Sequence, residues 1–515
     1  MAQAFEVVTY SKAEFIRLLS EKAGASQRVV SAKEHVQYFD DYLGGLGAKT
    51  VVVENSYIDR DFLDDFANYY VRCFKQYSSR CTRLHFFSSE FDEGAFSQLL
   101  RAKPASLTDD DLTICYLGFM VVKPLPQTIV GRTCFRTYPP DGRRHFPVTR
   151  KLVAHLFGKR LCVDSLPFQE QERAAAACAT SALWSAFQAT GRLFQHRIPS
   201  PMEITRVATE HVPLLTRTFP ATAGLNKAQM AEAIRGVGLE PCLINATDEH
   251  VLKSTLYAYL RGGIPIILLI KLHRTSNADR ADEPLQVGSH AVTAVGYSLS
   301  SGHPVAHPQS GFRLSSIRLD KVYVHDDQIG PFTRMEWLNG ATFTTTWQDR
   351  ASSAHLIAHA DLLLIPLYHI IRIPLDSVVD MVSAFDSIME LLRTQSILTL
   401  SDRIEWDVYL ISSNTLKEEI HSSAGLSGEY RESVLTLGMP RFLWRATALD
   451  SGRAVLDLLF DTTDIEQGLS FIGAIEYDAA ISRALRVGSP EILKVPALRD
   501  QASERIFEWF ANPPY

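Results

Sequence analysis

Cys178 is the residue whose type and position most directly suggest chemistry. It lies in the segment Phe168–Gly191, FQEQERAAAACATSALWSAFQATG, where the Ala-, Leu-, Trp- and Phe-rich part from Arg173 to Thr190 predicts a helix that stops at the closing glycine. A thiol near a helix start lies at the positive end of the helix dipole, which favours the nucleophilic thiolate. Gln171 and Gln169 precede it, and either amide can donate a hydrogen bond to a developing oxyanion. The same pattern also suits a buried structural cysteine.

A histidine and two adjacent acids follow in segments that predict strands. His290 stands at the start of SHAVTAVGY, and Asp326 and Asp327 follow KVYVH, the strand predicted over Lys321–His325. A cysteine nucleophile needs a base, and the base needs a third group that orients its ring. A helix packed on adjacent strands can bring the three residue types together.

The strand pattern also bears on which acid meets the histidine. Successive strand residues point to opposite faces, so only one of Asp326 and Asp327 is expected to reach His290. The strand phase is consistent with Asp326, whose face carries two valines, but does not decide between the two acids. His325 is expected on the face opposite Asp326, as a structural or exposed residue.

Composition excludes several classes of protein. The 515 residues predict two to four domains, and 46% hydrophobic with 21% charged residues is typical of a soluble globular protein. The net charge of −6, without a basic block, favours neither nucleic acid nor an anionic membrane as a partner. The first residues show no signal-peptide pattern, and the most apolar run, Ile264–Leu272, is too short to span a membrane. We therefore expect a cytoplasmic protein.

Cysteine spacing argues against disulfides and metal. The seven cysteines are odd in number and irregularly spaced, and no CxxC occurs, which favours a reducing cytoplasm. His303 and His307 have the spacing of helical metal ligands but lie in SSGHPVAHPQSG, a loop by composition. No glycine-rich nucleotide loop and no HExxH is present. We expect no metal and no other cofactor.

The order of predicted elements suggests three domains in an α+β chain. Residues 1–158 read as an N-terminal α/β and β-rich domain, in which Leu112–Lys123 predicts a strand. Residues 159–370 contain the Cys178 helix, a helix over Asn226–Gly236 with the Asn226 and Gln229 capping pattern, and a buried strand over Ile264–Leu272. Residues 371–515 read as a C-terminal α+β extension.

The middle of the chain resembles the papain-like cysteine peptidases, and the bacterial C39-type branch more than papain itself. The resemblance covers roughly residues 160–367. Its pieces are a glutamine before the cysteine helix, GLNKAQMAEAIRGVGLEP, GGIPIILLIKL, GSHAVTAVGY and VYVHDDQIGPF, in that order. It implies a papain-like fold that hydrolyses a peptide or isopeptide bond through a thiol.

The resemblance also implies a role for each residue. Cys178 would be the nucleophile, His290 the base, Asp326 the orienting acid and Gln171 the oxyanion donor. Gln171 precedes the cysteine by seven residues where six are common in the family, so Gln169 stays open as the donor. The chain also has an aspartate, Asp327, where the family often has proline, and no tryptophan directly after the cysteine.

Two other functions remain open beside peptidase activity. Related thiol enzymes transfer an acyl group or deamidate on the same fold, and a binding protein can keep the fold with a vestigial site. The expected partner is a protein or peptide substrate. Residues 1–158 and 371–515, which match no module, leave room for a further protein partner.

Overall fold

The computed structural model describes residues 3–103, 107–172, 177–211, 224–274, 286–348, 355–423, 425–466, 470–495 and 501–512. The chain forms two compact units. The first comprises Met1–Thr247, Gly263–Tyr297 and Lys321–Pro366, and the second comprises Asp248–Gly262, Ser298–Asp320 and Leu367–Tyr515. The predicted boundary between residues 158 and 159 falls inside the first unit.

The first unit opens with an antiparallel sheet. Its described strands lie in the order β1 (Phe5–Thr9), β2 (Thr50–Tyr57), β3 (Cys81–Phe87), β4 (Tyr116–Val122) and β5 (Val130–Phe135). The helices between them are α1 (Lys12–Ala23), α2 (Gln27–Ser31), α3 (Glu34–Gly45), α4 (Arg60–Asn68), α5 (Glu93–Leu100) and α6 (Asp109–Cys115). Every residue of β3 and β4 is buried, so the core covers both faces of the sheet centre.

The strand predicted over Leu112–Lys123 is wrong in its first part. Thr108 and Asp111 form a capping box that begins α6, and this helix runs through Cys115 before β4 starts. The reciprocal cap supplies hydrogen bonds to the first N–H groups of the helix. The cap therefore outweighs the β-forming residues that follow it.

A closed antiparallel sheet forms the second half of this unit. Its described strands are β10 (Ile266–Arg274), β11 (Gln286–Leu299), β12 (Leu319–Asp326), β13 (Gly330–Asn339), β14 (Thr342–Gln348) and β15 (His355–Tyr368). The sheet closes because β10 pairs with both β11 and β15. Two further strands pair with this sheet, the two-residue β6 (Arg144–His145) with β11 and β9 (Leu239–Asn245) with β15. Strands β7 (Arg150–Leu156) and β8 (Lys159–Ser165) form a separate two-stranded sheet. The predicted buried strand is confirmed as β10.

In the described residues, three helices accompany the closed sheet: α7 (Cys178–Leu193), α8 (Pro201–Glu210) and α9 (Lys227–Arg235). The capping box of Asn226 and Gln229 is confirmed at the start of α9. The predicted stop of α7 at Gly191 is wrong. A Cβ at this glycine would lie 2.5 Å from Ile198 Cγ1, so the residue permits close packing inside the helix. The predicted helical residues 173–176 lie outside the described residues.

The second unit contains an antiparallel sheet and helices. In its described part the strands lie in the order β16 (Glu405–Ser412), β17 (Phe442–Asp450), β18 (Arg453–Asp461) and β19 (Phe471–Glu476). The helices are α10 (Glu249–Arg261), α11 (Leu375–Thr394), α12 (Ser413–Ser422), α13 (Gly428–Thr436), α14 (Ala479–Ile492) and α15 (Gln501–Ala511). Trp406 Nε1 donates to Asp386 Oδ1 at 2.8 Å, which fixes the sheet to α11. Across the described residues of both units, none of the helices has the length and apolar character needed to cross a bilayer.

Candidate active site

Cys178 is the first residue of α7. The helix begins after Ala177, and the N–H groups of its first turn lack an intrahelical partner, as at every helix start. Ala177 provides no side-chain cap for them. Side chains from Ala179 to Thr190 are buried, whereas Cys178 is half-buried. Trp184 Nε1 donates to Asp61 Oδ2 at 2.9 Å and anchors the helix in the first unit. The thiol thus lies at the accessible, positive end of a rigid helix.

His290 lies on β11 and is brought to the thiol by packing between this strand and α7. Thr293, three residues further along β11, donates from Oγ1 to the carbonyl of Ala182 at 2.8 Å. The side chain of Cys178 is close enough to the ring of His290 to help raise the pKa of the ring, and His290 Nε2 lies 3.1 Å from Asp326 Oδ1. Because Nε2 faces the acid, Nδ1 is the nitrogen that remains for the thiol.

Asp326 is the last residue of β12 and is held by three donors. Besides the imidazole, the backbone N–H of Gln328 donates to Oδ1 at 3.1 Å and Trp347 Nε1 donates to Oδ2 at 2.7 Å. Burial raises the pKa of this carboxyl, but the charge of His290 and these hydrogen bonds outweigh burial and lower the pKa. Asp326 therefore stays ionised beside the ring.

The charge state of His290 follows from its neighbours. Burial alone would lower the pKa of the ring. The charge and hydrogen bond of Asp326, the hydrogen bond with Cys178 and the charge of Asp327 together raise this pKa well above its ordinary value of 6.5. The protonated ring is thus the favoured form at neutral pH, and an imidazolium stabilises an adjacent thiolate.

Trp347 is a member of the site that the sequence did not reveal. It lies on β14, and its ring packs edge-on against His290 with centroids 4.9 Å apart and planes at 70°. The indole therefore contacts the ring and also donates its own N–H to the acid. A tryptophan in the strand TFTTTWQ looks like an ordinary sheet residue, and only its contacts with His290 and Asp326 in the folded chain identify it as part of the site.

Asp327 also reaches His290, contrary to the expectation that only one acid would. Strand β12 ends at Asp326, so the alternation of faces no longer governs the next residue. Asp327 Oδ1 lies 3.4 Å from Nε2, within ion-pair distance, yet neither carboxylate oxygen has a hydrogen-bond partner among the described residues. Burial, supplemented by the charge of Asp326, raises the pKa of Asp327 to about 7 against the lowering effect of His290.

Gln171 is held beside Asp327 and Gln328, the residues that follow β12. Its backbone N–H donates to the carbonyl of Asp327 at 3.2 Å, and its Oε1 accepts from Gln328 Nε2 at 3.3 Å. Because Oε1 is the acceptor, Nε2 remains as a donor for another group. Gln169 is buried, and its Nε2 has no hydrogen-bond partner in the described part of the chain. Both glutamines therefore keep a donor, and only Gln171 is tied to the loop of the acid pair.

His325 lies away from the reacting groups. Its ring is buried between Phe168 and Phe332, at centroid distances of 5.8 Å and 4.9 Å. Burial lowers the pKa of this ring to about 3, so it remains neutral. These contacts are those of a structural residue and not of a second base.

One group of side chains in the described residues has the proximity that a metal ion would need. Donor atoms of His290, Asp326 and Asp327 lie within 4.8 Å of one another. Both carboxylate oxygens of Asp326 accept from N–H donors, and the distance of 3.1 Å between His290 Nε2 and Asp326 Oδ1 is that of a hydrogen bond. We assign this group to hydrogen bonding. All seven cysteines lie in described ranges, and none forms a disulfide.

The assembled groups can carry out thiol chemistry on a carbonyl. A thiol at a helix start adjoins a histidine, and an ionised acid that accepts a hydrogen bond from an indole orients the ring. No protein-family profile matches the chain, and no curated protein matches its sequence.

Proposed function

We propose that the protein is a cysteine hydrolase that cleaves a peptide or isopeptide bond. The observation that carries the proposal is the series Cys178, His290 and Asp326, in which the thiol helps to raise the pKa of the ring and Asp326 Oδ1 lies 3.1 Å from His290 Nε2. Each member lies on a different element, α7, β11 and β12, so the series exists only in the folded first unit. Three buried or half-buried polar groups in this order match the needs of a thiol nucleophile, its base and an orienting acid.

The first half of the reaction would form a thioester. The Cys178 thiolate attacks the carbonyl carbon, a C–S bond forms, and the C=O electron pair moves to the oxygen. The Gln171 amide and N–H groups at the start of α7 would stabilise that oxyanion. His290 then gives its proton to the nitrogen of the substrate, the C–N bond breaks, and the amine leaves.

The second half would return the enzyme to its resting state. Neutral His290 takes a proton from water, the hydroxide oxygen attacks the thioester carbon, and the C–S electrons return to sulfur. A carboxylic acid leaves, and the thiolate and imidazolium are restored. Asp326 stabilises the charged ring at each stage because its Oδ1 lies at Nε2.

The papain-like fold and the three-domain division of the sequence remain part of this proposal. Support for the fold comes from a central helix that carries the cysteine and packs on an antiparallel sheet, with the histidine and acid on the neighbouring strands β11 and β12. The resemblance of GSHAVTAVGY and VYVHDDQIGPF to family elements points the same way. A protein or peptide is the substrate class that this chemistry implies.

Selective labelling of the thiol tests the proposal directly. The full-length protein is incubated with a peptide-based thiol probe and with iodoacetamide at neutral pH, and the labelled residues are identified by mass spectrometry. We expect Cys178 to react before the other cysteines because His290 favours its thiolate. Cys162 is the matched control, since it is also half-buried but is not at a helix start.

Activity assays separate hydrolysis from the other thiol reactions. Cys178→Ala should abolish cleavage of a mixed peptide library, whereas Cys162→Ala should leave cleavage unchanged. Faster labelling of Cys73 or Cys81 than of Cys178 in the folded protein would contradict the proposal. Transfer of the acyl group to an added amine in preference to water would instead identify an acyltransferase, and release of ammonia a deamidase.

A further inference from the structure

Two buried carboxylates share one nitrogen of His290. Asp326 Oδ1 lies 3.1 Å and Asp327 Oδ1 lies 3.4 Å from Nε2. The relative exposure of the two residues is only 3% and 4%, so water screens neither interaction strongly. A single orienting acid would suffice for a cysteine–histidine pair, and the second acid therefore calls for an explanation.

The two acids differ in the hydrogen bonds that their carboxylate oxygens accept. Asp326 accepts from Trp347 Nε1 and from the Gln328 backbone in addition to the imidazole. Asp327 uses its backbone carbonyl to accept from the Gln171 N–H, but its carboxylate oxygens have no hydrogen-bond partner among the described residues. An ionised carboxylate without donors is strongly disfavoured in a buried place. Asp327 thus holds its proton more readily than Asp326.

The charged and titratable groups around Asp327 come from several elements. His290 faces it from β11 and lowers its pKa, whereas Asp326 and Glu170 raise that pKa. Glu170 itself forms an ion pair with Lys33. Nε2 of His35, on α3, lies within hydrogen-bond distance, 2.9 Å, of the backbone carbonyl oxygen of Asp327. His325, the preceding histidine, stays neutral because burial lowers its pKa to about 3. In this setting Asp327 gains its charge near neutral pH, when its pKa of about 7 is passed.

We propose that Asp327 is a positioning residue that, as a second anion at Nε2, keeps His290 protonated above neutral pH and extends the working range of the site toward alkaline pH. The inference rests on the proposed function, because the proton that it preserves is the one His290 gives to the leaving amine. Below neutral pH Asp327 is protonated, and Asp326 alone balances the ring. Above neutral pH the ionised Asp327 adds a negative charge 3.4 Å from Nε2 and binds the ring proton more tightly.

Histidine NMR measures this coupling without any substrate. The full-length chain is labelled at histidine Cε1, the His290 signal is assigned through His290→Gln, and its shift is followed from pH 4 to 10. In the wild type we expect a small step near neutral pH, when Asp327 ionises, and a second step when the ring loses its own proton. In Asp327→Asn the first step should vanish and the second should move down by about 1 to 3 pH units. An unchanged titration curve would overturn the proposal.

Hydrolysis at two pH values separates this role from a structural one. The ratio of kcat/KM for Asp327→Asn to that of the wild type should fall by about tenfold between pH 5.5 and pH 9, because each pH unit of lost ring protonation is tenfold. A purely structural defect would lower both rates by the same factor, which would overturn the proposal. Asp164→Asn removes an exposed charge from β8 and serves as the control. Cleavage that persists in Cys178→Ala would refute the proposed function alone, since the NMR shift tests the coupling by itself.

Discussion

Asp326→Asn is the substitution that most directly probes the candidate site. It keeps the shape of the side chain but removes a charge whose Oδ1 lies 3.1 Å from His290 Nε2. The amide oxygen can replace only one of the two carboxylate oxygens, so the NH₂ group faces either the Trp347 indole or both the ring and the Gln328 N–H as further donors. The substitution therefore removes the charge that strengthens these hydrogen bonds and leaves at least one donor facing another donor.

The size of the effect follows from the contribution of this charge to the histidine. Loss of an opposite charge at hydrogen-bond distance shifts a pKa by about 1 to 3 units. This corresponds to about 1.4 to 4 kcal/mol of lost stabilisation of the imidazolium. The imidazolium of His290 is present both in the resting pair with the Cys178 thiolate and in the step that expels the amine, so the lost stabilisation affects both. We expect kcat/KM near neutral pH to fall by about 10- to 1000-fold.

The stability of the fold should respond over a defined pH range. The pKa of His290 is raised, so its contribution is present below 6.5 and is lost as the pH rises through the folded-state pKa. The pKa of Asp326 is lowered, so its contribution is present above 3.8 and is lost as the pH falls through the folded-state pKa. Both contributions are therefore complete between these two values, and Asp326→Asn should lower the free energy of unfolding most in that window.

The assay combines kinetics with urea unfolding followed by tryptophan fluorescence. Wild type, Asp326→Asn and Asp327→Asn are compared at pH 5.5, where Asp327 is largely protonated in the wild type. Asp326→Asn should then lose far more activity than Asp327→Asn. Wild-type activity of Asp326→Asn, beside an inactive but folded Asp327→Asn, would reverse the assignment of the orienting acid.

Three further predictions concern residues around the site and one helix cap. Gln171→Ala should lower turnover by about 100- to 1000-fold through loss of an oxyanion donor while thiol labelling continues; the same result for Gln169→Ala alone would reassign the donor. Trp347→Phe keeps the ring contact but removes a donor to a charged acid, so the free energy of unfolding above pH 4 should fall by about 1.5 to 3 kcal/mol. An equal loss in Trp337→Phe, whose half-buried indole donates to the carbonyl of Gly340, would argue against this cause. Asn226→Ala removes the cap of α9 and should destabilise by about 1 kcal/mol in urea titrations without altering thiol reactivity.

Short stretches of the sequence predict several of the helices and strands of this protein. The capping box of α9 lies within four residues, Asn226 to Gln229, and the apolar run that becomes β10 is continuous. Such signals depend on neighbours along the chain, so composition and spacing identify them. The same reasoning misplaced the end of α7, because the space around Gly191 is set by Ile198, and misread the start of β4, where a cap prevailed over β-forming residues.

The candidate site separates most clearly what the sequence determines from what only the tertiary structure decides. From the sequence, the residue types and their order identify Cys178, His290 and the acid pair as the groups that could do chemistry. The tertiary structure alone decides that both acids reach the ring, because β12 ends between them, and that Trp347 contacts both His290 and Asp326. His290 and Asp326 are 36 residues apart, and Asp326 and Trp347 are 21 apart. Contacts at such separations depend on strand register and on the packing of α7, which short-range sequence patterns do not encode.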